Sequence, residues 1–193
     1  MTNLGRTLWM LLASTRRPAC SPLGPCTTPF RVFPADLDFF LHMNNAVYFS
    51  VMDSARIDWL VRAKIWQRLS KQNLHLVVAG ETIQFRKSLQ IAQAYDIQTT
   101  VVGWDDRAFF VEQRFMRQGE VWASALVRLR ALDKKNRAVT TDVVLPILDA
   151  AHVKSPPLPA WVDSWMQAQG ALRQSIRPGR PGPPGRENAG ARP

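Results

Sequence analysis

The ten residues Asp36-Leu37-Asp38-Phe39-Phe40-Leu41-His42-Met43-Asn44-Asn45 bring two carboxylates, an imidazole and two carboxamides together. They lie where a short apolar strand pattern hands over to a long helical one. A helix start leaves backbone N–H groups unpaired and carries partial positive charge, so an acid or a developing oxyanion is stabilised there. A carboxylate at such a junction can attack a carbonyl or draw a proton from water. Loop acids also serve a plainer purpose, since Asp and Asn side chains satisfy backbone donors near helix starts. Residue types alone leave both readings open.

The elements that must position these groups are legible in the periodicity. Tyr48, Val51, Met52, Ala55 and Trp59 recur at helical spacing. With Asn44 or Asn45 as N-cap, they predict a helix from Asn45 to about Lys64 and a short second piece from Trp66 to Gln72. A strand is expected ahead of the site, from Pro29 to Phe33. Beyond the helices the period becomes two. His75 to Arg86, Ala94 to Trp104, Ala108 to Met116 and Val121 to Leu132 read as successive antiparallel strands with hairpin signals between them. One long helix against such a sheet is an α+β domain in which the curved sheet covers the helix.

At 193 residues and 46% hydrophobic content the chain can bury one sizeable core. The formal charge of +10 would invite a nucleic-acid reading, but its placement argues otherwise. Residues 1–30 contribute Arg6, Arg16 and Arg17 with no acid, residues 173–193 contribute five Arg against Glu187, and the stretch between holds 17 basic and 14 acidic side chains. Basicity belongs to the ends, and no nucleic-acid partner is expected of the core. Cys20 and Cys26 have no further Cys or His at metal-ligand spacing, so neither a metal site nor a disulfide framework is expected. A reducing, cytoplasmic setting fits. The apolar run Leu8 to Ala13 is short of the roughly 20 residues that span a bilayer and reads as an interfacial helix, lying on a membrane surface or on the domain itself.

The element order, with Asp36-Leu37-Asp38, His42-Met43-Asn44-Asn45 and Tyr48, resembles the hotdog-fold thioesterases of the 4-hydroxybenzoyl-CoA thioesterase type. Gly103-Trp104-Asp105-Asp106-Arg107-Ala108-Phe109-Phe110 and Arg86-Lys87-Ser88-Leu89 look like its thioesterase-superfamily-member subgroup. The resemblance spans Thr28 to Leu148. It implies the architecture β-α-β-β-β-β, a homodimer or dimer of dimers, an acyl-CoA substrate taken at the dimer interface, and no cofactor or metal. The division expected is an N-terminal amphipathic segment and linker over 1–27, a hotdog domain over 28–150, a helical extension over 151–172 centred on Trp161 to Leu172, and a disordered Pro/Gly/Arg tail over 173–193.

By that resemblance Asp38 takes the position of the catalytic acid, as nucleophile or general base, and the backbone N–H near Asn45 takes the oxyanion position. His42 orders the loop or helps bind substrate. Asp53, on the helix, matches an acid that other hotdog thioesterases use, although pairing with Arg56 explains it as well. Asn44, Tyr48, Glu81, Arg86 and Arg107 are the expected substrate contacts, the two arginines through CoA phosphates. Glu81, within an apolar strand, needs a partner if it is buried. Leu41 stands where many relatives carry glycine, which puts the loop geometry in question. Phe39, Phe40, Leu41 and Met43 form an apolar rim suited to a fatty acyl chain, or else fill the dimer interface.

The function expected is hydrolysis of a fatty or aromatic acyl-CoA to free acid and CoA. The alternative is a non-catalytic hotdog dimer that holds an acyl thioester or lipid, in peripheral contact with a membrane through the N-terminal segment. A hotdog dehydratase would need a differently placed His and acid pair that this chain lacks.

Overall fold

The computed structural model describes residues 3–176, with nothing said of the side chains of residues 3, 4 and 6–9. It divides the chain into two units, Met1–Pro157 and Leu158–Pro193. The first contains helix α1 (Asn3–Ser14), strand β1 (Cys26–Arg31), a 3-10 turn (Pro34–Asp36), helices α2 (Asn45–Arg62) and α3 (Ile65–Lys71), strands β2 (Leu74–Phe85), β3 (Ala94–Trp104), β4 (Phe109–Arg117), β5 (Glu120–Asp133) and β6 (Ala138–Val139), and helix α4 (Thr141–Ile147). The second contains α5 (Ala160–Ser175), which runs past the expected end at Leu172. The expected tail from residue 177 onward lies outside the described residues.

Helix α2 forms where the stripe predicts. Asn44 is its N-cap, with extended backbone and a side-chain oxygen that accepts from the Ala46 N–H at 2.9 Å. The helix stops at Ala63 because Lys64 turns left-handed, at φ +57°, before α3 begins. Tyr48, Val51, Met52, Ala55 and Trp59 are all buried, in one cluster with Ile97, Val111, Phe115, Val127 and Leu129 of the sheet. Each of the larger side chains contributes about 1.5–3 kcal/mol by leaving water. The Tyr48 ring lies 5.0 Å from Phe115 and 4.9 Å from Phe85, so the helix is seated in the concave face of the sheet. This is the hotdog arrangement expected.

The sheet order is β1-β3-β4-β5-β2, all antiparallel, with β6 also pairing β5. Strands β3, β4 and β5 are successive hairpins, as expected. Strand β2 is not the hairpin neighbour of β3. It crosses to the far edge and pairs with β5, because the stretch from Arg86 to Gln93 runs past the α2 start instead of turning tightly: Met43 N–H donates to Leu89 O at 2.8 Å and His42 bridges Gln90. That crossing brings a second chain segment to the candidate site.

Sequence periodicity did not reveal α4. It interrupts its own pattern with Pro146, and it is held in place by Thr141, which donates from Oγ1 to Asp105 O at 2.6 Å.

Helix α1 packs on α2 with Met10 and Ser14 buried. One face of the N-terminal segment is thereby used within the fold. Leu12 remains exposed, and the side chains of Leu8 and Trp9 lie outside those described. Among the described residues no helix is long and apolar enough to cross a membrane.

Candidate active site

The chain between β1 and α2 folds into a small closed loop. Asp38 N–H donates to His42 O at 2.8 Å and Leu41 N–H to Asp38 O at 3.1 Å. The Asp38 carboxylate folds back over this loop, where Oδ1 accepts from the N–H of Phe40 at 2.9 Å and of His42 at 3.2 Å. One carboxylate oxygen is thus fixed by two backbone donors. The other, Oδ2, meets no donor among the described residues, and the side chain is half-buried. Asp36 takes the structural part: it is buried, its Oδ2 accepts from Phe33 N–H at 2.9 Å, and its carbonyl accepts from Asn44 N–H at 2.8 Å.

Closing the loop requires Leu41 to adopt φ +60°. A side chain with a Cβ pays about 1–2 kcal/mol for that conformation. The glycine-like geometry is therefore kept without glycine, and the doubt that Leu41 raised about the loop shape resolves into local strain. Such strain persists only where the surrounding structure enforces it, as the two bonds to Asp38 do here.

At the helix start the first amides are divided. Ala46 N–H is taken by the Asn44 side chain and Val47 N–H by the Asn44 carbonyl at 2.9 Å. No acceptor among the described residues takes the Asn45 N–H, which lies on an exposed residue. Asn44 is thus a cap, and Asn45 offers a donor at the positive end of an 18-residue helix. His42 closes the loop through its backbone, and its half-buried imidazole has no hydrogen bond among the described residues.

Three expected placements need correction. Tyr48 is 2% exposed, and its hydroxyl accepts from Leu89 N–H at 3.2 Å, so it fixes the β2–β3 crossing and offers no surface to a substrate. Its burial pushes the phenol above its ordinary range. Met43 is buried and is not part of the apolar rim, whereas Phe39, Phe40 and Leu41 are 96%, 76% and 69% exposed. Arg107 sits in the β3–β4 turn, where it pairs with Asp106 at 3.4 Å. The antiparallel register puts that turn at the opposite end of the sheet from the Asp38 loop, because β1 leaves the sheet beside Ala94, at the start of β3. Arg86 is at the site's end, exposed, with its N–H donating to Trp122 O.

The other two acids form a separate group at the middle of α2. Arg56 is buried, with a hydrogen bond from NH1 to Gln113 Oε1 at 2.7 Å, an ion pair with Asp53, and Glu81 Oε2 at 3.6 Å. Asp53 is exposed. Burial pushes the Glu81 carboxyl above its usual range; Arg56 opposes this and Asp53 adds to it. Gln113 also donates from Nε2 to Met52 O at 3.1 Å and to Thr99 Oγ1 at 3.2 Å. Arg56 is thus the charge that faces Glu81 as well as Asp53, but at 3.6 Å it makes no hydrogen bond, and the buried Glu81 Oε2 has none among the described residues. Gln113 lies at an inward position between Val111 and Phe115, and that alternation was the signal that could have found it.

A second polar centre also escaped the sequence reading. Asp58 is fully buried, and its oxygens accept from Ser14 Oγ at 2.6 Å, Arg17 NH1 at 3.1 Å, Thr28 Oγ1 at 2.7 Å and Arg62 NH1 at 2.8 Å. Burial alone would raise its pKa, but the bonds from Ser14, Thr28 and Arg62 and the charge of Arg17 together hold it below the ordinary carboxylate range. Only the Arg62 partner follows from helical spacing.

Residues 32–166 match the family model of the thioesterase-like superfamily. The chain belongs to that superfamily. It is 34% identical to Protein THEM6 of Xenopus laevis over 146 residues, covering 76% of this chain and 69% of that protein. It is 25% identical to the long-chain acyl-CoA thioesterase FadM of Escherichia coli over 112 residues, covering 57% of this chain and 85% of that one. Among solved structures, the probable thioesterase YbaW of Escherichia coli superposes with a TM-score of 0.61 at 23% identity, covering 65% of this chain and 97% of that chain. That superposition supports the hotdog fold independently of the loop geometry.

Proposed function

We propose that the chain hydrolyses acyl-CoA thioesters, with Asp38 as the reacting carboxylate and the Asn45 N–H as oxyanion donor. The observation that carries this reading is the division of labour at the loop: Asp38 Oδ1 is tied to two backbone amides while, among the described residues, Oδ2 meets no donor and the first amide of the adjacent helix start meets no acceptor. A carboxylate so held presents one oxygen in a fixed direction. As a general base it takes a proton from water as that water attacks the thioester carbonyl. The negative charge then falls on the carbonyl oxygen, and one well-placed N–H there is worth about 10²- to 10³-fold in rate. Collapse of the tetrahedral species expels the CoA thiolate, which takes the proton back from the carboxyl. As a nucleophile, Asp38 would instead form a mixed anhydride that water opens.

The rim supports a substrate class. Phe39, Phe40 and Leu41 expose three large apolar side chains in sequence, which favours a fatty acyl group, in keeping with the long-chain acyl-CoA named for the FadM relative. Arg86 supplies positive charge at the same end for the CoA phosphates. A homodimer fits both that exposed apolar tip and the edge of β2, which no strand among the described residues covers. Asp53 and Glu81 support the helix from its middle in this reading.

A second reading, an acyl-thioester-holding dimer without turnover, draws on the strained Leu41 and its exposed neighbours. Purified protein offered a panel of acyl-CoAs, with released thiol as readout, separates the two. Turnover that falls at least about 100-fold in Asp38→Asn is expected. Saturable binding with no thiol release on any chain length would favour the holding dimer.

A further inference from the structure

We propose that Cys20 and Cys26 are a thiol pair that oxidises to a disulfide within the chain, fastening the segment ahead of β1 to the body of the fold. Their Sγ atoms are 2.6 Å apart, and both are free thiols. Among the described residues no group of three Cys, His, Asp or Glu side chains could hold a metal there, which leaves thiol–disulfide chemistry to the pair.

The surrounding backbone enforces their approach. Cys26 is the first residue of β1, is buried, and stands opposite Thr99 in the sheet. The chain between the two cysteines turns back on itself, with Gly24 N–H donating to Ser21 O at 3.0 Å and Val101 N–H to Leu23 O at 3.0 Å. Gly24 has φ +81°, and a Cβ there would meet Thr99 O at 2.6 Å and Thr100 Cα at 2.9 Å, so the turn is pressed onto β3 in a form only glycine permits. On the other side a single guanidinium brackets the pair: Arg62 donates to Pro18 O at 2.8 Å and to Thr27 O at 2.9 Å. The thiols are thus presented to each other by contacts on both flanks.

The two sulfurs differ in access, which sets the order of events. Cys20 is half-buried, whereas Cys26 is buried and its thiol is pushed well above the ordinary range, by burial first and by the Cys20 hydrogen bond next. A small disulfide such as oxidised glutathione is therefore attacked by the Cys20 thiolate, releasing one glutathione and leaving a mixed disulfide on Cys20. The Cys26 sulfur, losing its proton, then displaces the second glutathione. Two protein thiols are oxidised, one small disulfide is reduced to two thiols, and the protons pass to them.

The bond would covalently hold the chain at residue 20 immediately after the segment whose Ser14 and Arg17 reach Asp58. An opened α1 would then hang on a short tether ending at Cys20, which favours its reclosure onto α2. The full chain equilibrated across graded ratios of oxidised to reduced glutathione, then blocked with N-ethylmaleimide, tests the pairing by intact mass and peptide mapping. The expected product under oxidising ratios is a chain with no disulfide to another chain, neither thiol labelled, and a Cys20–Cys26 linkage. Labelling of both thiols at every ratio, a stable glutathione adduct, or links between chains would each overturn it. Cys20→Ser, which leaves the buried Cys26 in place, should abolish the redox response. Hydrogen exchange of α1 should slow by about fivefold or more in the oxidised chain, and equal exchange in both states would overturn the fastening.

Discussion

Two carboxylates flank the same helix and are treated in opposite ways. Asp38, ahead of α2, is half-buried and receives two backbone N–H groups on one oxygen, with no donor to the other among the described residues. Asp58, in the last third of α2, is fully buried and receives four side-chain donors, two of them cationic. A buried charge is tolerated only when its lone pairs are used, and once used they are closed to other chemistry. The contrast separates an acid that holds three segments together from one that keeps an oxygen without a donor among the described residues. Proximity to a helix does not make that distinction, and neither does residue type.

Removing the hub is the most severe way to probe this contrast. Asp58→Ala leaves Arg17 and Arg62 facing each other without their counter-ion, a loss of about 3–5 kcal/mol in chemical denaturation. The thioester turnover per folded molecule should be unchanged. A stable Asp58→Ala variant would break the comparison at its structural half.

Titration sharpens it. The Asp58 pKa is depressed in the fold, so its stabilisation is present above the unfolded value of about 3.9 and is lost as pH falls through the folded value. Glu81 runs the other way, since its raised pKa means that its ionised form costs stability until pH drops through the folded value toward about 4.3. Stability should therefore rise slightly on mild acidification and fall below about pH 4. Thermal melts of Glu81→Gln should lack the rise, and those of Asp58→Asn should have a shallower acid limb.

The Asp38 loop should respond in the opposite sense to the hub when its backbone is relaxed. Leu41→Gly removes the left-handed penalty at φ +60° but frees the unfolded chain, for a net gain of about 0.5–1 kcal/mol. An increased denaturation midpoint with unchanged slope is the expected outcome. The smallest effect is expected from the surface arginines. Arg86→Ala should raise KM for CoA esters severalfold, and Arg107→Ala, at the other end of the sheet, should raise it less; equal effects would mean that Arg107 reaches the site from a second copy of the chain.

Much of this is legible in the sequence. The apolar stripe of α2, its cap at Asn44 and the inward face of β3 are local periodicities, and each is where the spacing predicts. The span of β2 is where the periodicity predicts, but its pairing is not legible, because the register is set by a distant partner, β5, and by a crossing that ties Leu89 to Met43 and Tyr48. Tyr48 is a substrate contact only by family resemblance, whereas the apolar stripe of α2 already puts it on the core face, and its burial agrees with the stripe. The Asp58 hub needs Ser14, Arg17 and Thr28, which approach from up to 44 residues away in sequence. No spacing rule reaches that far. Leu41 was the most useful departure, since a mismatch between residue and required conformation marks where the fold enforces a shape.

The most direct measurement compares kcat/KM for a long-chain acyl-CoA in wild type, Asp38→Asn and Asp53→Asn, with the melting temperature of each recorded alongside. A fall of at least about 100-fold confined to Asp38→Asn, with all three melting alike, is the predicted result. Undiminished turnover in Asp38→Asn, or a collapse in Asp53→Asn alone, would contradict it and move the chemistry to the middle of α2.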